Sequence, residues 1–499
     1  MMKLLKRKTR KVFTKCVLLT ATLVSTAVFA DASTTNVSGF VRTQAAFSLG
    51  DKNPNNTALG LPDDPNFNLI RVWGILDVDY KNNFSDDSTI NSVRLFTRWR
   101  ANWDLTQTLG KDVGNYDAFP LAFKDDWTLA RANTKKASAE LWEGFVDVRA
   151  NNTTTFKIGR QNIVWGEADA LRLLDIVNPL DLTQHMFFDG GGEQFDHLRI
   201  PLWAVRVTHD FKQLPGYSLD AYLVPGDFVP TSLPARGAPF NQLPFPQNAP
   251  PTILGVPPFF IPGLRVEDDT NDWRGKAEGG IRLLGEVGGL KYTLNYINKI
   301  DSDGVTVFDR FDGATGQVVL RNQRARLNVY GASFNYAAED IGAVIRGELT
   351  HTPNQRYAAA SGVGLLKRDT TKFVLGFDRP TFVFPTDQAM SISLQWFQTQ
   401  RQGSASDITI LNAPADKSET NFSIFLSQPI MNGQLSFDFL GVIDTDHAYW
   451  SQPQIQYKPG NHWRFTAYGN FFSGSEKRAG RFGGLKYSNE IVLQAGYQF

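Results

Sequence analysis

The chain has 499 residues, 42% of them hydrophobic, with 51 basic against 50 acidic side chains. A mean hydropathy of −0.26 argues against a bundle of membrane helices, each of which needs about 20 consecutive apolar residues. The near-neutral balance argues against strong nucleic-acid binding by charge, and the lone Cys16 excludes a disulfide framework.

In chain order, residues 1–15 carry Lys3, Lys6, Arg7, Lys8, Arg10, Lys11 and Lys15 without an acid. An uncharged run, Cys16 to Phe29, and the small-residue site Val28-Phe29-Ala30 follow. The pattern predicts a secretory signal peptide over residues 1–30, because the apolar stretch is shorter than the roughly 20 residues of a transmembrane anchor. Its removal takes all seven cations and the cysteine, leaving 44 bases against 50 acids.

From there the recurring signal is period-two alternation, which places one set of side chains on each face of a strand. A first strand is expected near Val37 to Ser48, followed by a polar loop from Gly50 to Asn66 and a strand over Ile70 to Tyr80. Next, Val93, Leu95, Thr97, Trp99, Ala101 and Trp103 oppose Arg94, Phe96, Arg98, Arg100, Asn102 and Asp104. Arginine at mid-membrane costs roughly 2–4 kcal/mol on the lipid side of a barrel, so Arg94, Arg98 and Arg100 are expected to line the lumen. A second polar loop spans Thr106 to Ala137, and Gly144 to Arg149 alternates again.

The run Gly159-Arg160-Gln161-Asn162-Ile163-Val164-Trp165-Gly166-Glu167-Ala168-Asp169 breaks the alternation, and Asn178-Pro179 marks a turn. This predicts a strand that leaves the wall and a segment that enters the lumen. Arg160, Trp165, Glu167, Asp169, Arg172 and Asp175 are its candidate pore-lining residues, and the same charges suit a plug or brace held by ion pairs. A third loop, Pro225 to Trp273, has 11 of the 25 prolines between Pro225 and Pro262 and no charge from Gly237 to Leu264. Proline removes ladder donors and favours extended, polyproline-like backbone. Phe240, Phe245, Phe259 and Phe260 make the loop too apolar for full solvation, so it is expected to pack on the rim or to guide an apolar solute.

Further strands are expected at Leu290 to Tyr296, Leu327 to Tyr336, Phe373 to Phe377, Phe422 to Gln428 and Leu435 to Asp444. In the last nine residues Ile491, Leu493, Ala495, Tyr497 and Phe499 share one face, with Gln494, Gly496 and Gln498 on the other. An apolar edge strand needs a partner. Pairing with the first strand would close a barrel, and Tyr497 and Phe499 resemble the assembly signal of bacterial outer-membrane proteins. The expected fold is therefore all-β: a transmembrane antiparallel barrel over residues 31–499, of about 16 strands within a range of 14–18.

The stretch from Gly159 to Asp169, with its following Asn178-Pro179-Leu180-Asp181 turn, resembles a group of proteobacterial outer-membrane proteins catalogued as a domain of unknown function. The resemblance continues through Arg199-Ile200-Pro201-Leu202-Trp203, Val224 to Asp227 and Pro234 to Phe240. It implies residence in the bacterial outer membrane, contact with its lipid and the barrel-assembly machinery, and association with exporters of the resistance-nodulation-division superfamily and with a periplasmic lipid carrier. It implies no catalytic residues, cofactor or metal. His185, His197, His209, His351, His447 and His462 are scattered without a metalloprotease or serine-hydrolase motif, and Asp301 to Gly304 reads as a turn rather than a calcium loop. A channel for a hydrophobic or amphipathic solute or lipid is the leading expectation. A membrane-embedded hydrolase and a structural or adhesive barrel with a blocked lumen are the alternatives.

Overall fold

The computed structural model describes residues 33–50, 67–84, 88–106, 137–169, 171–183, 195–232, 240, 264–403, 407–410, 413–445, 447–474 and 482–499. The expected signal peptide and Phe245, Phe259, Phe260 and His185 lie outside them. In chain order the strands are β1 (Ser33–Ser48), β2 (Phe67–Asn83), β3 (Ile90–Asp104), β4 (Ala137–Ala150), β5 (Thr154–Gln161), β6 (Leu202–Asp210), β7 (Ser218–Val224), β8 (Leu264–Asp268), β9 (Glu278–Val287), β10 (Leu290–Ile300), β11 (Val305–Asp312) and β12 (Gln317–Gln323). They continue with β13 (Arg326–Ala338), β14 (Ala343–Ala359), β15 (Leu365–Thr381), β16 (Met390–Arg401), β17 (Ile408–Ile410), β18 (Ala413–Pro414), β19 (Ser418–Ile430), β20 (Leu435–Asp444), β21 (Tyr449–Tyr457), β22 (Trp463–Ser473) and β23 (Glu490–Gln498).

Eighteen of these, β1–β7, β9, β10, β13–β16 and β19–β23, form one antiparallel closed barrel, two more than the central expectation of 16. Short pairs such as β6 and β7, only nine and seven residues long, carry too few alternating positions to be counted reliably from the sequence. Closure joins the expected first and last strands, in a register that pairs Val41 with Tyr497, Ala45 with Leu493 and Phe47 with Ile491. Phe499 extends the seam by exchanging two 3.0 Å backbone hydrogen bonds with Gly39. The third loop departs from expectation, since its end at Leu264–Asp268 is a strand paired parallel with β12, which in turn pairs with β11.

The alternation sorts the two surfaces. Val41, Ile158, Trp203, Leu223, Leu294, Leu349, Leu375, Leu394, Phe422, Ile455, Phe465, Ile491 and Leu493 are exposed on the outer face. Their neighbours in sequence, such as Arg42, Gln44, Asp220, Thr293, Asn295, Glu348, Thr350, Gln395 and Gln452, are buried on the inner one. The connections are equally sorted. Asn151 to Thr153, Gly288-Gly289, Glu339 to Gly342 and Met431 to Gln434 make tight turns at one end, and the long excursions leave from the other. At the seam Gly39 is required for close approach, because a Cβ there would lie 2.2 Å from the Ile75 carbonyl oxygen and 3.1 Å from the Phe499 ring.

Phe499→Asp, which removes this ring contact and puts a charge on the outer face, is expected to lower the yield of closed barrel several-fold. The measurement is the heat-modifiable electrophoretic fraction in membranes, with Gln498→Asp as the inner-face comparison; equal yields for both variants would remove the seam from the account of assembly.

Candidate functional site

After Gln161 the chain leaves the wall and crosses the barrel interior. Asn178 makes the departure rigid: its side-chain oxygen accepts the Ile163 N–H at 2.7 Å, and its amide donates to the Ile200 carbonyl at 2.9 Å. One side of the segment then seats on the inner face of β6, β7, β10 and β13. There Ile163, Trp165 and Val177 pack with Leu202, Ala204, Tyr222, Val224, Ile297 and Val329. Trp165 is 1% exposed, and its indole N–H donates 2.9 Å to Asp220, a fully buried carboxylate that also receives Arg206 and Arg282. Such a buried carboxylate is tolerable because all three partners satisfy it. Gly280 leaves the room that the Trp165 ring fills, and Gly331 does the same for Leu174.

The far side of the segment reaches β14–β22. The Glu348 carboxylate accepts backbone N–H groups from Glu167, Ala168 at 2.9 Å and Leu174 at 3.1 Å, so one wall side chain holds the whole turn. Asp169 pairs with Arg346 and accepts the Gln395 amide at 2.8 Å. Leu171 and Leu173 meet an apolar inner wall made by Val374, Phe397, Leu440, Val442, Trp450 and Phe472, closed off by Phe482 and Leu485. Phe240 of the proline-rich loop packs against the same wall, with its ring 6.0 Å from Phe472.

Returning toward β6, Asp175 receives Arg199 at 2.6 Å and lies 3.7 Å from Arg172, whose guanidinium donates to the Asn178 carbonyl at 2.6 Å. Asp181 receives Arg100 at 2.7 Å. Burial pushes the Asp181 carboxyl up, but Arg100 and Thr183 outweigh it and hold it below the ordinary carboxylate range. The helical turn Phe195–Leu198 lays His197 against Phe40 and Trp73, at ring separations of 5.8 and 5.7 Å. Burial, reinforced by Arg98, Arg42, Arg100 and Arg71, lowers this imidazole from 6.5 to about 3.

Arg94, Arg98 and Arg100 all occupy the inner face of β3, yet none stands alone. Arg94 pairs with Asp79, Arg98 with Asp77 and Glu143, and Arg100 with Glu140 and Asp181. Trp165, Glu167, Asp169, Arg172 and Asp175 come together on the crossing segment, with Glu167 and Asp169 exposed to the interior. Arg160 departs from the expectation. It alternates with the exposed Phe156 and Ile158 on the outer face and donates to the backbone of Leu141 and Pro201. The break in pattern that marked the segment begins one residue later, so the period of β5 still governs Arg160. The wall residues that position the segment, Asp220, Glu348, Arg346 and Lys299, whose ammonium donates to the Ile176 carbonyl, were not among the sequence candidates. Their only signal was a polar residue on the wet face of a strand, and register alone reveals which of many such residues meets the segment.

Residues 10–424 match the family model described as "Protein of unknown function (DUF1302)". The chain belongs to this family. No curated protein matches its sequence. Among solved structures, this DUF1302 member is similar in fold to Acinetobacter baumannii OccAB3, with a TM-score of 0.50 and 9% identity over 93% of this chain and 99% of that one. Pseudomonas aeruginosa OccK9 (OpdG) gives a TM-score of 0.49 and 9% identity over 93% and 97% of the two chains. Salmonella typhi OmpF gives 0.43 and 10% over 95% and 99%. At these identities the likeness is one of fold.

Glu348→Ala strips an acceptor from three backbone donors and is expected to weaken docking of the segment by roughly 2–4 kcal/mol; trypsin cleavage after Arg172 should accelerate in the folded barrel, and an unchanged rate would refute the clamp. For His197 the folded pKa lies below the unfolded one, so its contribution to stability is complete above pH 6.5 and declines as pH falls toward 3. Thermal melts between pH 7 and pH 4 should show a smaller acid loss in His197→Phe than in the native protein.

Proposed function

We propose that the barrel is a bacterial outer-membrane channel for a hydrophobic or amphipathic solute or lipid. The observation that carries this reading is the division of the interior. Strands β1–β4 present paired charges, whereas β15, β16 and β20–β22 bring Val374, Phe397, Leu440, Val442, Trp450 and Phe472 together in an apolar cluster on the inner face. Inner faces of water-filled barrels are ordinarily polar, so an apolar inner stripe needs an occupant. Leu171, Leu173 and Phe240 cover it in this state.

The apolar outer face suits lipid, and the sorting of short turns and long loops to opposite ends matches the outer-membrane pattern of short periplasmic turns and longer outer loops. An amphipathic solute would displace the Leu171–Leu173 contact and slide along the stripe while its polar part faces the charged wall. Exporters of the resistance-nodulation-division superfamily and a periplasmic lipid carrier fit this reading as suppliers or acceptors of such a molecule. The blocked-barrel alternative draws on one observation of its own, the anchoring of the segment to both walls through Asp220 and Glu348.

Planar-bilayer recording separates the two. Native protein should show small unitary conductance, and Gly331→Leu, which collides with Leu174 where a Cβ already lies 2.3 Å away, should raise it several-fold by lifting the segment. Absence of conductance in both proteins, with the barrel intact by heat-modifiable migration, would favour the blocked barrel.

A further inference from the structure

The inner face at the β2–β4 end of the crossing segment holds a group of polar atoms that the segment's own anchoring leaves unused. Trp73 and Asn102 are cross-strand partners in β2 and β3, and they are 5% and 7% exposed. Among the described residues, neither the indole N–H of Trp73 nor either polar atom of the Asn102 carboxamide has a hydrogen-bond partner. Arg100 lies two residues away on the same face. Its terminal nitrogens are taken by Asp181, Glu140 and the His197 carbonyl, but its Nε–H has no partner among the described residues.

Trp142, the extra residue at the β-bulge opposite Arg98 and Trp99, is 2% exposed. The Arg100 guanidinium lies 3.4 Å over its ring, and its indole N–H also has no hydrogen-bond partner among the described residues. The His197 Nδ1 completes the group. Native proteins pair nearly all buried polar groups, so five side chains with unpartnered atoms around one turn point to something that the protein binds there.

The chemistry of these atoms selects the ligand. Trp73 Nε1, Arg100 Nε, Trp142 Nε1 and Asn102 Nδ2 are donors, against a single obligate acceptor, Asn102 Oδ1. Such a set complements an acceptor-rich group rather than a hydroxyl or an ammonium. Burial, with Arg98, Arg42, Arg100 and Arg71 adding to it, keeps His197 neutral, and of these Arg98 and Arg100 are paired with Asp77, Glu143, Glu140 and Asp181. Beside the donors, Phe40, Trp73 and the His197 ring form an aromatic surface, with Phe40 and Trp73 packed edge to face at 4.9 Å. We propose that Trp73, Asn102, Arg100, Trp142 and His197 form a binding site for the carboxylate of an amphipathic acid whose apolar body lies on the adjoining rings. The site rests on the channel reading and gives it a substrate class. It lies across the interior from the apolar stripe, on the polar side of the crossing segment.

Benzoate is the probe, titrated into the purified full-length barrel in detergent at neutral pH, with tryptophan fluorescence and calorimetry as readouts. Saturable binding is expected, at least tenfold tighter than that of benzyl alcohol or benzamide, which keep the ring without the charge. Asn102→Asp preserves size while adding a like charge, and Trp73→Phe preserves packing while removing a donor; each should weaken benzoate at least tenfold. Heat-modifiable migration confirms that both variants fold, and the conservative pair keeps the test valid if one of them does not. Three results would overturn the site: no saturable binding by the native barrel, as expected if only water occupies it, equal binding of benzyl alcohol or benzamide, or unchanged benzoate affinity in the folded variants. Conductance is scored separately. A conducting barrel that ignores benzoate refutes the site alone, and a silent barrel that binds it refutes the channel alone.

Discussion

Everything else in this molecule depends on the antiparallel seam between β1 and β23. Backbone donors and acceptors at a sheet edge need partners, and closure supplies them without a second chain. Once Val41 lies against Tyr497 and Ala45 against Leu493, the two faces of every strand become different solvents' surfaces. A one-residue slip anywhere would exchange them. Long ladders such as β1 with β2 and β14 with β15 hold that register over many pairs.

Closure creates an interior, and the interior is then shaped by one segment rather than by the wall. The crossing run between β5 and β6 spends its polar backbone on wall side chains, chiefly Glu348, and its apolar side chains on two separate wall patches. Glycine sets the fit at two places, because any side chain at 280 or 331 would occupy the volume of Trp165 or Leu174. Asp169, Arg172, Asp175 and Asp181 of the segment are ion-paired, so its position is specified by geometry as much as by stability. The result is an asymmetric lumen, with charged pairs and the aromatic cluster around His197 on one side and an apolar stripe on the other.

The alternating strands, the closing terminal strand and the departure of the chain from the wall after Gln161 were legible in the sequence. Each is a local pattern whose period or interruption can be read from neighbouring residues. Strand number was less legible, since β6 and β7 are brief and β17 and β18 shorter still. Arg160 shows how one residue of uncertainty at an element boundary moves a side chain from the inside to the outside. The candidate residues Trp165, Glu167, Asp169, Arg172 and Asp175 were found by their unusual density, but the wall partners that hold them were not. Asp220, Glu348 and Arg346 lie far along the chain and look like any polar residue on a wet strand face.

The sequence by itself determined that this is a barrel with a greasy outside, a closing aromatic-ended strand and one segment that breaks the strand period. The physical reason is that period-two patterning and proline or glycine punctuation act over a few residues. Only the tertiary structure decided which inner residues face one another. Glu348 meets Leu174, Arg100 meets Asp181, and the unpartnered Asn102 lies beside Trp73, because barrel closure converts distance along the chain into adjacency across the lumen.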